Sequence, residues 1–200
     1  MIDCELYPAI FKRKSFHLFW DIDTETISSE ELHEIESAYK HFSALCPDIK
    51  TAIRIVPAEE TTCRRGEEYC ILLYSEKKEH YLQNIGYIGE QLDLYLTLKN
   101  IGTLWFGIGK TEESRLEGLD FVIMLAIAKV SNDAKFRYKK PGKRGIMPAD
   151  KVSFYNRIDM GIFLCFLDLC LLHEKILFQA ELKPDAGLDD EKTLFAVYRL

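Results

Sequence analysis

The stretch from Tyr81 to Gly107, YLQNIGYIGEQLDLYLTLKNIGTLWFG, decides the fold. Leu82, Ile85, Ile88, Leu92 and either Tyr95 or Leu96 recur at the intervals that place side chains on one side of an α-helix, which predicts a helix from about Glu79 to Lys99. The apolar positions wrap widely around its axis, as on a helix at the centre of a domain. Gly86 and Gly89 leave room for another backbone or for a flat ring.

On the N-terminal side, Ser28-Ser29-Glu30-Glu31 spells a capping box, and Leu32, Ile35, Tyr39 and Phe42 continue it as an amphipathic helix. Thr51 to Val56 alternates as a strand does, and Tyr69 to Tyr74 forms a second strand after Arg64-Arg65-Gly66. With 200 residues, 48% of them hydrophobic, the chain suffices for one compact unit. The 26 Lys and Arg against 32 Asp and Glu give a net charge of −6, so the surface as a whole does not attract nucleic acid or an anionic membrane. No segment approaches the ~18 apolar residues of a membrane span, and the opening, with Asp3 and Glu5, lacks the layout of a secretory leader. A cytoplasmic protein with reduced thiols is expected. Cys4, Cys46, Cys63, Cys70, Cys165 and Cys170 show no Cys-x-x-Cys spacing and no histidines at zinc-site intervals, so no metal centre is predicted. The scattered histidines, among them His33 and His41, suit solvated or capping roles. Glycine spacing before Lys110-Thr111 does not match a nucleotide-binding P-loop.

Near the N-terminus, Ala9-Ile10-Phe11-Lys12-Arg13-Lys14-Ser15-Phe16-His17 sets three consecutive cations and a hydroxyl after an apolar helical start. Guanidinium, ammonium and hydroxyl donors on one short segment can share the charge of a phosphomonoester, although a solvated basic run has the same spelling. Taken with the Tyr81 to Gly107 segment, these residues resemble the flavin-dependent nitroreductase family, whose opening signature is Arg-Arg-Ser-x-Arg or a close variant. Its central helix is followed by a Gly-Leu-Gly-Thr-x-Trp turn. The resemblance implies an α+β fold with an antiparallel-rich sheet flanked by helices. It also implies FMN as cofactor, NAD(P)H as donor, a small nitroaromatic or quinone acceptor, and ping-pong hydride transfer. By the same resemblance Arg13, Lys14 and Ser15 hold the phosphate and ribityl chain, His17 assists, and Gly102 and Thr103 lie near the ring edge. The second basic segment, Lys135 to Arg144, supplies Lys143 or Arg144 to the phosphate, or else serves as a cationic linker.

An internal repeat is also expected. A shift of 72 positions lays Asn84 on Asn156, Gly89 on Gly161 and Leu92 on Leu164, and the strand Phe121 to Leu125 on Thr193 to Val197. This predicts a single domain over 1–200, with a first half of about 1–130 and a shortened second half of about 131–200, packed as a pseudo-dimer. The resemblance is strongest to tandem single-chain nitroreductases. The family's Ala-Pro-Ser-x-x-Asn-x-Gln-Pro-Trp element is missing, as are a helix and strand of the second half. Two readings follow: a flavin oxidoreductase, or a degenerate flavin-binding or interaction module without turnover. No catalytic side chain is named, because the isoalloxazine carries the redox chemistry itself. The shortened half is expected to leave Phe154, Ile162, Phe166 and Leu169 on an apolar patch that a homodimer would cover.

Overall fold

Strand β6, Leu119–Val130, organises the molecule. Its core segment Val122 to Ala128 is uninterruptedly apolar, the composition of a strand covered on both faces. The computed structural model describes residues 2–20, 22–131, 149–184 and 195–200. Lys143 and Arg144 lie outside them.

Along one edge β6 pairs antiparallel with β3, Tyr69–Ser75, and beyond the end of β3 with β1, Thr24–Glu25. Strand β2, Thr51–Pro57, continues the sheet from β3. The opposite edge of β6 takes β4, Ile101–Phe106, and the short β5, Arg115–Leu116. The Gly-Thr-x-Trp segment expected as a turn is therefore a strand; its register with β6 runs from Ile101 opposite Lys129 to Phe106 opposite Met124.

Alternation sorts the sheet's side chains. Ile71, Leu73, Ile123, Leu125 and Ile127 face the helices, while Cys70, Leu72, Tyr74, Met124, Ala126 and Ala128 face a second core closed by Phe16, Phe19 and Cys63. Helix α1, Ser29–Tyr39, begins with the expected capping box, Ser28 and Glu31 each accepting from the other's backbone N–H. His33 and His41 each bond the carbonyl four residues earlier, Ser29 and Ser37.

Helix α2, Tyr81–Leu98, is buried on nearly every side, including polar Gln83, Asn84, Glu90, Gln91 and Asp93. Two of these bond a neighbouring loop: Gln91 exchanges hydrogen bonds with the backbone of Ser43, and Asn84 accepts through Oδ1 from the N–H of Cys46. Helix α3, Ala149–His173, crosses α2 at backbone contact. A Cβ on Gly86 would stand 2.0 Å from the Ile158 carbonyl oxygen, and one on Gly161 would stand 1.9 Å from that of Gln83. Gly86 thus admits a backbone, as one of the two expectations had it, whereas Gly89 admits a ring, the indole of Trp105, 2.5 Å from its ideal Cβ.

The two helices lie side by side as expected, but their reciprocal contact relates Gln83 to Ile158 and Gly86 to Gly161, three positions away from the 72-residue register. Strand β8, Ala196–Arg199, pairs with β7, Gln179–Leu182, in a separate two-stranded sheet, and residues 193 and 194 lie outside the described ones. Tyr87 on α2 and Tyr198 on β8 both donate to the buried Asp168 of α3, each at 2.7 Å, and pin that hairpin to the helix pair. The predicted patch on α3 is smaller than expected: Leu169 is fully buried, and Phe154, Ile162 and Phe166 are half-buried. Among the described residues no helix is long and apolar enough to cross a membrane.

Candidate functional site

The basic segment lies against the free edge of β4. Ser15 forms a parallel bridge with Thr103, and the Phe16 N–H donates to the Thr103 carbonyl at 2.8 Å. Side chains of this extended run therefore diverge. Lys12, Lys14 and Phe16 line a hollow of about 260 Å³ with Asn100, Gly102 and Ser131. His17 reaches a second cavity of about 400 Å³, further along the same strand. Gly102 is required by Phe16, whose ring would lie 2.8 Å from a Cβ there.

Arg13 turns inward. Its Nε donates to Asp93 Oδ2 at 2.8 Å and lies 3.0 Å from Glu90 Oε1. The single Nε hydrogen goes to Asp93, and neither Glu90 oxygen accepts a hydrogen bond. Asp93 also accepts from Thr103 Oγ1 at 2.5 Å and Trp105 Nε1 at 3.0 Å. One buried carboxylate thus ties the basic segment, α2 and β4 together. Thr103, expected at a ring edge, spends its hydroxyl on this carboxylate and is buried. Of the residues foreseen, Arg13 and Thr103 converge on Asp93, Ser15 bridges to Thr103 through the backbone, Lys14 and Gly102 share the smaller hollow, and His17 stands at the larger cavity.

The larger cavity has mostly apolar walls: Leu104, Trp105 and Phe106 from β4, Ile123 from β6, and Tyr155, Ile158 and Ile162 from α3. Tyr155 donates its hydroxyl to the Gly107 carbonyl at 2.6 Å, and its ring occupies the space a Cβ on Gly107 would need. Asp159 stands at this cavity too, where partial desolvation pushes its carboxyl above its ordinary value. Arg65, unforeseen in the sequence, lines this cavity as well, its guanidinium 5.7 Å from the centroid of Phe106, within cation–π range. The loop presenting Arg65 is held at three points. The Arg65 N–H donates to Glu67 Oε2 at 2.6 Å, its carbonyl accepts from the Phe19 N–H at 2.7 Å, and Gly66 takes a positive φ of 84° beside Trp20. A sequence signal did exist for the Asp93 cluster: two carboxylates three residues apart on a buried helix demand a cation.

Burial, and secondarily the charge of Asp93, push the Glu90 carboxyl well above its ordinary value, against the pull of Arg13. Between the unfolded and folded values, the native state holds a proton that the unfolded chain has released. This contribution is therefore largest below the ordinary carboxylate range and declines as pH rises through it toward the raised value. Glu90→Gln should remove the decline, so that the variant gains stability over the wild type as pH increases above about 4.3. Urea denaturation of both proteins across pH 4 to 8 checks this, and a constant difference would contradict it.

The family model described as "Putative TM nitroreductase" matches residues 5–144. Among solved structures, a "putative nitroreductase" from Thermotoga maritima aligns over 89% of each chain at 15% identity with a TM-score of 0.53. A nitroreductase from Bacteroides fragilis, with bound FMN, aligns over 72% of this chain and 98% of its own at 13% identity, with a TM-score of 0.51. No curated protein matches the sequence. The antiparallel sheet, the central α2 and the basic segment laid along β4 agree with the family match: the chain belongs to the nitroreductase family and has its α+β fold.

Proposed function

We propose that this protein is an FMN-dependent oxidoreductase that takes electrons from NAD(P)H and passes them to a small electron-poor acceptor of the nitroaromatic or quinone type. The observation that carries the reading is the largely apolar cavity of about 400 Å³ at β4, lined also by His17 and Arg65, with the lysine-lined hollow served by the same basic segment. An aromatic ring system with an anionic tail fits this pairing of an apolar slot with cationic donors. Family membership and the FMN held by the Bacteroides fragilis relative support it. FMN, when bound, supplies the hydride and electron chemistry.

In this reading Lys14, Ser15 and His17 meet the phosphate and ribityl end. Arg13 holds their segment in place through Asp93, and Gly102 makes room for the Phe16 ring that seats the segment on β4. Lys143 and Arg144, outside the described residues, would close the phosphate from the second half, whose tandem relation to the first belongs to the same proposal. So does a homodimer, for which Phe163, 63% exposed on α3, offers an apolar contact. Location in the cytoplasm is proposed with it.

The test is FMN titration by fluorescence quenching, followed by anaerobic addition of NADH or NADPH and then a quinone. Lys14→Ala should weaken FMN by about tenfold or more, the worth of a charge-assisted hydrogen bond. Equal affinity in the variant would remove Lys14 from the site, and failure of the wild type to bind FMN would overturn the reading. A second reading, a module that binds flavin without turnover, is favoured by the protein's own rings at β4: Phe16 covers Gly102 and Trp105 occupies the space above Gly89. It predicts bound FMN that neither nicotinamide reduces.

A further inference from the structure

We propose that Cys63, Glu67 and Cys70 form a binding site for a thiophilic divalent cation of the zinc class. Their ligand atoms, two sulfurs and a carboxylate oxygen, lie within 4.8 Å of one another, and all three residues are buried. Around a zinc ion with Zn–S bonds of about 2.3 Å, tetrahedral sulfurs stand about 3.8 Å apart, so closure needs a movement of an ångström or less. Cys63-x3-Glu67-x2-Cys70 has no recognisable zinc spacing. The donors meet because Gly66 takes a positive φ in the loop that leads into β3, whose second residue is Cys70.

A second observation points independently to a cation. Glu67 is 9% exposed; its Oε2 accepts from the Arg65 N–H, while its buried Oε1 has no hydrogen-bond partner. A buried carboxylate oxygen left without a hydrogen-bond partner is costly, and a metal ion is a partner that suits it together with two thiols. Thr61 completes the arrangement. Its hydroxyl donates to the Ala58 carbonyl and accepts from the Cys63 N–H, which leaves one lone pair, and its oxygen lies 3.5 Å from Cys70 Sγ. Binding would release the two thiol protons. The ion would be structural: it would lock the loop that presents Arg65 to the large cavity onto the sheet.

The reduced full-length chain, titrated with Co2+, should develop thiolate-to-cobalt charge-transfer absorption that saturates at one equivalent and is displaced by Zn2+. Cys70→Ser should abolish it, and Glu67→Gln should weaken cobalt binding by at least about tenfold. Because a core cysteine variant could misfold, the wild type supplies its own control. In moderate urea, zinc should slow iodoacetamide alkylation of Cys63 and Cys70 together by at least about tenfold relative to EDTA, leaving the exposed Cys4 and Cys170 unaffected. Absence of the band in the wild type, its persistence in Cys70→Ser, or alkylation indifferent to zinc would each overturn the proposal.

Discussion

Asp93→Ala should destabilise the protein by about 3–5 kcal/mol, the cost of stripping one partner from a buried ion pair. Asp93 is fully buried and accepts from Arg13, Thr103 and Trp105, so its removal orphans a guanidinium, a hydroxyl and an indole N–H at once. The damage spreads through structure the proposed site depends on, since the segment carrying Lys14 and His17 is held against β4 partly through Arg13. Removing the charges together should be milder: Arg13→Met combined with Asp93→Leu eliminates the uncompensated ion and keeps the volume, and should lose less than Asp93→Ala alone. Urea denaturation of the three variants at one pH decides it. A loss below about 1 kcal/mol for Asp93→Ala would place Asp93 among exposed ion pairs in energetic terms, contrary to the geometry.

Gly161→Val should be of similar severity for a different reason. An ideal Cβ there falls 1.9 Å from the Gln83 carbonyl oxygen, which belongs to the backbone of α2 and cannot swing aside. Helices α2 and α3 would have to separate along their crossing, and with them the cavity wall formed by Tyr155, Ile158 and Ile162. Overpacking ordinarily costs about 1–3 kcal/mol, and backbone-on-backbone contact belongs at or above the top of that range. The gain of about 1 kcal/mol from replacing glycine by alanine in a free helix will not appear at this position: Gly161→Ala should also destabilise. Thermal denaturation of both variants checks the sign, and a stabilised alanine variant would mean that the helices do not touch there.

Much of the architecture was legible in local spacing. The capping box of α1 pairs residues three apart, β2 and β3 alternate at the period of their pleat, and α2 carries apolar residues around most of its circumference. Each pattern is set by neighbours in the chain, where helix or strand geometry alone determines which side chains meet. The basic segment and the central helix were also enough to indicate the family. The Gly102 to Phe106 segment was misread as a turn because its glycine relieves a contact with Phe16, an event of tertiary packing, instead of relaxing its own φ.

What the tertiary structure alone decided is which charges meet. Arg13 and Asp93 are 80 residues apart, and nothing in the spacing of either distinguishes a phosphate ligand from the partner of a buried carboxylate. Arg65 became a wall of the large cavity only because its loop is fastened by Glu67, Phe19 and Trp20, and Cys63, Glu67 and Cys70 converge only once that loop folds over β3. The physical reason is the same throughout. Secondary structure is chosen by short-range sterics and hydrogen bonding, but a site is assembled by burial, which joins distant segments according to shape and charge that no local period records.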